Sequence, residues 1–287
     1  MIPNNIAVII VFFNPSEADI RQAEMLSSEY LGVIVDNSTK PCINNSKIGL
    51  LNYVCNHHNV GIAEAQNHAL RLICENKDIQ YIVFLDQDSR VSHSYPKDIA
   101  NEFTECQSSY PTLAVLGPTV INKSNSEAYS SAFHTYSNDS NGFSIRTNII
   151  SSGCCISRKA LDKVGLFDNN LFIDYVDYEW CWRAKSKGFI CGITNKLIIK
   201  HKVGVRELSI GNYKVIVSAP FRYYYQYRNY MWLTPKSYVP LQWKLAYGCK
   251  LAARFFYFPI FVDSGRECWK HMKRGIRSGL KPPPDLH

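Results

Sequence analysis

Asp86-Gln-Asp88 ends an apolar run and sets two carboxylates two positions apart. A continuing strand pleat would turn both to one side and Gln87 to the other. Two hard oxygen ligands so placed suit Mg2+ or Mn2+ held between protein and a substrate diphosphate. The same residues also suit a strand-end turn, where Asp bonds nearby amides. A second acidic group, Asp174, Asp177 and Glu179, lies beside Trp180 and Trp182 in Phe172-Ile-Asp-Tyr-Val-Asp-Tyr-Glu-Trp-Cys-Trp-Arg183. At a predicted helix start these carboxylates either complement the helix dipole or supply a general base to a pocket wall. His201, after Leu197-Ile-Ile-Lys200, is a candidate third metal ligand or a structural imidazole.

These groups need a scaffold that gathers them. Ile6-Ala-Val-Ile-Ile-Val-Phe-Phe13 reads as a strand buried on both faces, and Ser16 as the cap of a following helix. Leu31 to Asp36 repeats the strand pattern, Ile62 to Cys74 has helical spacing, and Gln80 to Leu85 is a third strand. The alternation predicts an α/β fold with a mostly parallel sheet and helices on both faces. Ligands of such sheets collect at the carboxyl ends of the strands, here Asn14, Asp36 and Asp86 to Asp88. Asp36 there can accept hydrogen bonds from a base or ribose, or act as a turn residue. Asn59-Val-Gly61-Ile-Ala-Glu-Ala-Gln-Asn67 puts a glycine where a loop enters a helix and turns Asn67 toward the same edge; ordinary helix initiation has the same appearance. Residues 122–148, rich in Ser and Asn, predict a loop excursion. Ser151 to Ser157 leads into a helix over 158–164, and Gly188 closes a second over 176–187.

A chain of 287 residues, 46% hydrophobic, exceeds the size of one ordinary core and predicts a main domain over 1–215 with a helical extension over 216–287. The net charge of +8 gathers after Lys196 among aromatics, a composition that would face nucleic acid, an anionic membrane or a phosphorylated substrate. Nucleic acid leaves the two acidic groups unexplained, since they repel phosphates in the absence of a metal. Ten cysteines without a C-x-x-C pair read as reduced thiols, and the first residues carry no export signal, so a cytoplasmic location is expected. Lys244, Lys250 and Arg254 interrupt residues 241–262, short of the roughly 20 apolar residues of a span. A helix lying on the membrane surface and a packed helical hairpin both fit the residues from Trp243 to Arg277.

Taken in order, Ala7 to Asn14, Val35-Asp-Asn37, Asn59 to Ala63 with Gln66-Asn67, Leu85-Asp-Gln-Asp-Ser89, Ser152-Gly-Cys154 and Asp174 to Arg183 resemble the family 2 glycosyltransferases of GT-A fold. The acidic segments, and Arg222-Tyr-Tyr-Tyr-Gln-Tyr-Arg-Asn229, are similar to the rhamnosyltransferase branch that builds O-antigen and related polysaccharides. The resemblance implies an inverting transferase using a nucleotide sugar, with dTDP-L-rhamnose as donor and a polyprenyl-diphosphate-linked saccharide as acceptor. UDP-galactofuranose, UDP-glucose and UDP-GlcNAc are the alternative donors. Asn14, Asp36, Asn37, Gly61, Asn67, Asp86 and Gly153 would line the donor site, Asp88 with Asp86 and His201 would hold Mg2+ or Mn2+, and Arg206 would touch the diphosphate. Asp177 matches the aspartate of the family's Glu-Asp base motif, but Val176 replaces the Glu, which leaves Asp174, Asp177 and Glu179 all candidates for the base.

Overall fold

The computed structural model describes residues 5–122, 135–138, 142–201, 206–210 and 213–284, with backbone alone at 122, 135–138, 200–201, 206–210 and 213–216. The centre is β1 (Ile6–Phe12), paired in parallel with β2 (Leu31–Asp36) on one side and β5 (Tyr81–Asp86) on the other. Helix α1 (Glu17–Ser27) joins β1 to β2 and opens with a capping box, Ser16 accepting from the Asp19 amide while Asp19 accepts from the Ser16 amide. The hairpin β3 (Lys47–Ile48) and β4 (Leu51–Cys55) extends the sheet beyond β2, and α2 (Ile62–Ile73) returns the chain to β5. All three central strands therefore end at one edge with Phe12, Asp36 and Asp86.

Helix α3 (Tyr95–Ser109) and β6 (Leu113–Asn122) follow, then β7 (Thr135–Asn138) and β8 (Phe143–Arg146). These two strands lie inside the stretch expected as a loop; β8 pairs antiparallel with β10 (Ile190–His201), so distant pairing orders a segment of weak local pattern. The short β9 (Cys155–Ser157) runs antiparallel between β5 and β6, giving the order β3-β4-β2-β1-β5-β9-β6-β10-β8-β7. Helices α4 (Arg158–Val164) and α5 (Val176–Ser186) pack with α2 on one face, around Ala69, Phe84, Trp180 and Trp182. On the other face α1 and α3 close over Ile10, Phe12, Leu26 and Phe103. Each large apolar side chain so buried contributes about 1.5–3 kcal/mol, ample to fix the strand ends that carry the polar groups.

The strands β11 (Arg206–Ile210) and β12 (Tyr213–Val217) form a separate hairpin. The chain ends in α6 (Pro220–Leu233), α7 (Leu241–Phe261) and α8 (Gly265–Gly279), which share a core of Tyr223, Leu251, Phe258 and Met272. At Gly275 a Cβ would stand 2.3 Å from the Tyr224 carbonyl oxygen, so glycine sets how closely α8 approaches α6. The extension also reaches the first core through Leu233, Val239 and Trp243. Among the described residues no helix is long and apolar enough to cross a membrane.

Candidate active site

The strand β5 ends at Asp86, and the Ser89 amide donates to the Asp86 carbonyl at 3.0 Å. Residues 87–88 thus form a turn instead of continuing the pleat, which corrects the expected geometry of the acidic pair. Gln87 is drawn toward β1, its Oε1 accepting from the Phe13 amide at 2.7 Å. Across from this turn, Gly153 donates to the Phe84 carbonyl at 2.8 Å and accepts from Tyr95 Oη at 2.6 Å. Its φ of +74° makes glycine the residue that fits, and the bonds tie the 151–154 turn to the end of β5.

That turn meets the start of α5. Asp177 Oδ2 accepts from the Ser151 amide at 3.2 Å and Oδ1 from the Tyr178 amide at 2.9 Å. Burial raises the Asp177 pKa to about 7 against these donors, and the charge of nearby Asp86 adds to the rise. Asp177 lines a cavity of about 310 Å³ with Ser151, Asp174, Arg222, Lys250 and Arg254. No cation pairs with Asp177 among the described residues.

The other two acidic candidates stand differently. Asp174 also lines the cavity, but Arg222 grips both its oxygens, at 2.6 and 3.1 Å. Glu179 is 1% exposed and lies outside the cavity wall. Arg183 donates to its two oxygens, both at 2.9 Å, and Tyr238 Oη donates at 2.7 Å. Arg183 in turn holds the Val164 and Leu166 carbonyls, so Glu179 anchors α5 to the loop after α4. Of the three expected base candidates, Glu179 is the one whose carboxylate is turned away from the cavity.

Three expected donor contacts are likewise turned inward. Asp36, 0% exposed, accepts from Tyr53 Oη at 2.5 Å, the Ser38 amide at 2.8 Å, and Cys42 through Sγ at 3.0 Å and its amide at 3.2 Å. Burial pushes its carboxyl up, yet the bonds from Cys42, Ser38 and Tyr53 together hold it below the usual range. Its carboxylate shapes the 37–42 loop. Asn67 is 1% exposed and pairs with the Phe167 backbone, donating to the carbonyl and accepting from the amide, both at 2.9 Å. Asn37 is buried and donates to the Gly61 carbonyl at 3.1 Å. These three residues bond protein groups around the sheet edge. Asn14 is exposed at the end of β1 with φ +49°, and its amide donates to Ser38 Oγ at 2.7 Å.

Gly61 begins α2 with φ +85°, and an added Cβ would stand 2.6 Å from the Phe172 ring and carbonyl oxygen. Phe172 O accepts the Ile62 amide there at 2.7 Å, joining α2 to the acidic loop. Gly61→Ala is expected to lower stability by about 2–3 kcal/mol and to weaken donor binding, as read by thermal denaturation and calorimetry.

Among the described residues no three acidic, His or Cys groups are arranged to hold a metal unaided. Asp86 and Asp88 are both partly exposed at the sheet edge. A carboxylate pair without a closed cage fits Mg2+ or Mn2+, which complete their shell with water and substrate phosphates. The backbone of His201 ends β10, but its side chain and that of Arg206 lie outside the described residues. Sequence reasoning missed Arg222, Lys250 and Arg254 as cavity residues; their signal was the concentration of cations among aromatics in the tail.

No family model matches the chain. The dTDP-rhamnosyl transferase RfbF of Shigella flexneri is 30% identical over 254 residues, covering 83% of this chain and 82% of that protein. Among solved structures, GalNAc-T7 with UDP, GalNAc and Mn2+ matches with a TM-score of 0.55 at 15% identity. The match covers 94% of this chain and 55% of that one, so the chain spans about half of the solved protein's length and the likeness is one of fold.

Proposed function

We propose that this chain, which belongs to the rhamnosyltransferase branch of the family 2 glycosyltransferases, moves L-rhamnose from dTDP-L-rhamnose to a hydroxyl of a lipid-linked saccharide, with inversion. The protein is a glycosyltransferase; the donor sugar, the acceptor and a place in surface polysaccharide synthesis are the proposal. The position of Asp177 carries it. This carboxylate lines the cavity, feels the charge of Asp86 and is bound by backbone amides, with no cation paired to it among the described residues.

Asp177 takes the proton of an acceptor hydroxyl lodged in the cavity, a transfer suited to a base with a pKa near working pH. The acceptor oxygen bonds to the anomeric carbon as the bond to the diphosphate breaks and its electron pair leaves with the nucleotide. Asp88 and Asp86 would hold Mg2+ or Mn2+ at the donor diphosphate, where the cation would offset charge building on the leaving group. Arg222, by gripping Asp174, keeps a second negative charge from crowding Asp177. The carboxylate face of Asp36 and the amide of Asn67 act at one remove, fixing the loops around the donor.

The test is slow donor hydrolysis and binding across dTDP-L-rhamnose, UDP- and GDP-sugars, with and without Mn2+ or Mg2+. A metal-dependent preference for dTDP-L-rhamnose is expected, and Asp88→Ala should reduce hydrolysis by about 100-fold or more. Preference for another nucleotide sugar would replace rhamnose and keep the transferase chemistry. Undiminished, metal-independent turnover in Asp88→Ala would remove the metal assignment.

A further inference from the structure

Helix α7 buries Trp243, Leu251 and Phe258 against the rest of the chain and carries a second apolar face that is exposed. Tyr247, Lys250 and Arg254 line the cavity beside Asp177. On the opposite side Leu241, Leu245, Phe256 and Ile260 are 69%, 63%, 73% and 74% exposed, and Cys249, Ala252 and Ala253 are exposed between them. At 100° per residue these positions fall on one arc, an apolar stripe along the helix length. Soluble helices normally show cations to water and apolar groups to the interior.

The two cations lie one helical turn apart, and neither has a carboxylate partner among the described residues. Arg254 reaches Gln226 Oε1 at 3.4 Å, and the Lys250 ammonium lies 5.1 Å from the Tyr247 ring centroid. Lys250 is exposed at the cavity rim, and its partial desolvation, then the charge of Arg254, lower its pKa, as expected of like charges held together without an anion between them. Asp86 and Asp88, the residues suited to the donor diphosphate, do not line this cavity. The cations share the cavity with Asp177, and Asp86 and Asp88 stand outside its wall.

We propose that Lys250 and Arg254 form an anion subsite for the phosphate or diphosphate of a lipid that carries the acceptor, while the apolar stripe of α7 rests on the bilayer that holds it. One helix would thus set lipid, phosphate and reacting hydroxyl in sequence from membrane to base. This inference rests on the acceptor reading given above.

The test is calorimetric titration of the full chain with farnesyl diphosphate, inorganic diphosphate, dTDP and dTDP-L-rhamnose, in wild type and in Lys250→Gln/Arg254→Gln. The wild type should bind farnesyl diphosphate more tightly than inorganic diphosphate, and the double variant should lose about 10–100-fold in that affinity, as for two charge-assisted contacts, with dTDP within about twofold. Equal loss for dTDP would make these cations part of the donor site and overturn the subsite. So would unchanged farnesyl diphosphate affinity, absence of its binding to wild type, or equal affinity for inorganic diphosphate. Sedimentation with vesicles of phosphatidylethanolamine and phosphatidylglycerol should fall several-fold in Phe256→Ser/Ile260→Ser; unchanged sedimentation overturns the bilayer seat. Binding of dTDP-L-rhamnose in the same samples separates the levels. If wild type fails to bind it, the transferase reading of the donor fails; if it binds while the double variant keeps its farnesyl diphosphate affinity, only the subsite fails.

Discussion

Asp177→Asn should lower kcat for transfer by about 10²–10⁴-fold, the range for loss of a positioned base, while gaining stability relative to wild type as pH rises from 4 to 8. The first effect follows from removing the proton acceptor. The second follows from its surroundings: burial holds the folded-state pKa near 7, above the ordinary value of 3.8. A raised carboxyl pKa means the folded chain keeps a proton that the unfolded chain releases. Stability is therefore undiminished below about pH 4, falls as pH rises toward 7, and stays reduced above it. A neutral amide escapes this loss but sets its Nδ2 against one of the two backbone amides, so the variant should be less stable than wild type by about 1–2 kcal/mol at pH 4 and recover by about 1–3 kcal/mol relative to wild type between pH 4 and pH 8. The same ionisation should govern activity, with kcat rising through about pH 7 as Asp177 becomes a competent acceptor.

Glu179→Gln supplies the contrast that makes this result specific. It breaks the buried fork with Arg183 and weakens the bond from Tyr238, so its expected effect is a stability loss of about 3–5 kcal/mol, with kcat retained in the folded fraction. Thermal denaturation at two pH values and steady-state transfer assays on both variants decide the matter. If Glu179→Gln abolishes kcat in a folded sample while Asp177→Asn remains active, the base has been misassigned.

The acidic segments and the strands that deliver them were legible because they are local. An apolar run of β-branched residues reads as a buried strand wherever it pairs, and Asp36 and Asp86 end β2 and β5 as expected. What each polar side chain does was less legible, because a partner of it is remote in sequence. Asp36 is claimed by Tyr53, Asn67 by the backbone of Phe167, and Glu179 by Tyr238. A polar residue at a strand end or helix start looks alike whether it faces ligand or protein. The tail was ambiguous for a related reason. Periodicity shows that α7 has distinct faces, but the fold alone shows that Lys250 and Arg254 line a cavity while Leu241, Leu245, Phe256 and Ile260 are left exposed.

Asn229→Ala should be among the most damaging single changes, although Asn229 lies on α6 and outside the cavity wall. Phe172, Asp174 and Tyr175 all have positive φ, of 64°, 67° and 65°. Non-glycine residues held there cost about 1–3 kcal/mol each, so neighbouring structure must hold them. Asn229 Nδ2 does so, donating to the carbonyls of Leu171 and Ile173 at 2.9 Å and of Asp174 at 3.0 Å. Its Oδ1 accepts from Arg228, whose guanidinium also reaches the Asn170 and Leu171 carbonyls. The alanine variant leaves buried carbonyls unmet and lets the segment relax, with an expected loss of about 2–4 kcal/mol and a kcat decrease of at least about tenfold, since small displacements before α5 misplace Asp177. Asn229→Asp separates the two ends of the amide, because it keeps an oxygen for Arg228 but presents no donor to the carbonyls. It should fare no better than alanine; near-normal kcat and stability in Asn229→Asp would mean that the bond to Arg228 holds the loop. On this argument the helical extension belongs to the catalytic apparatus through its hydrogen bonds, since the conformation that sets Asp174 and Asp177 is fixed from α6.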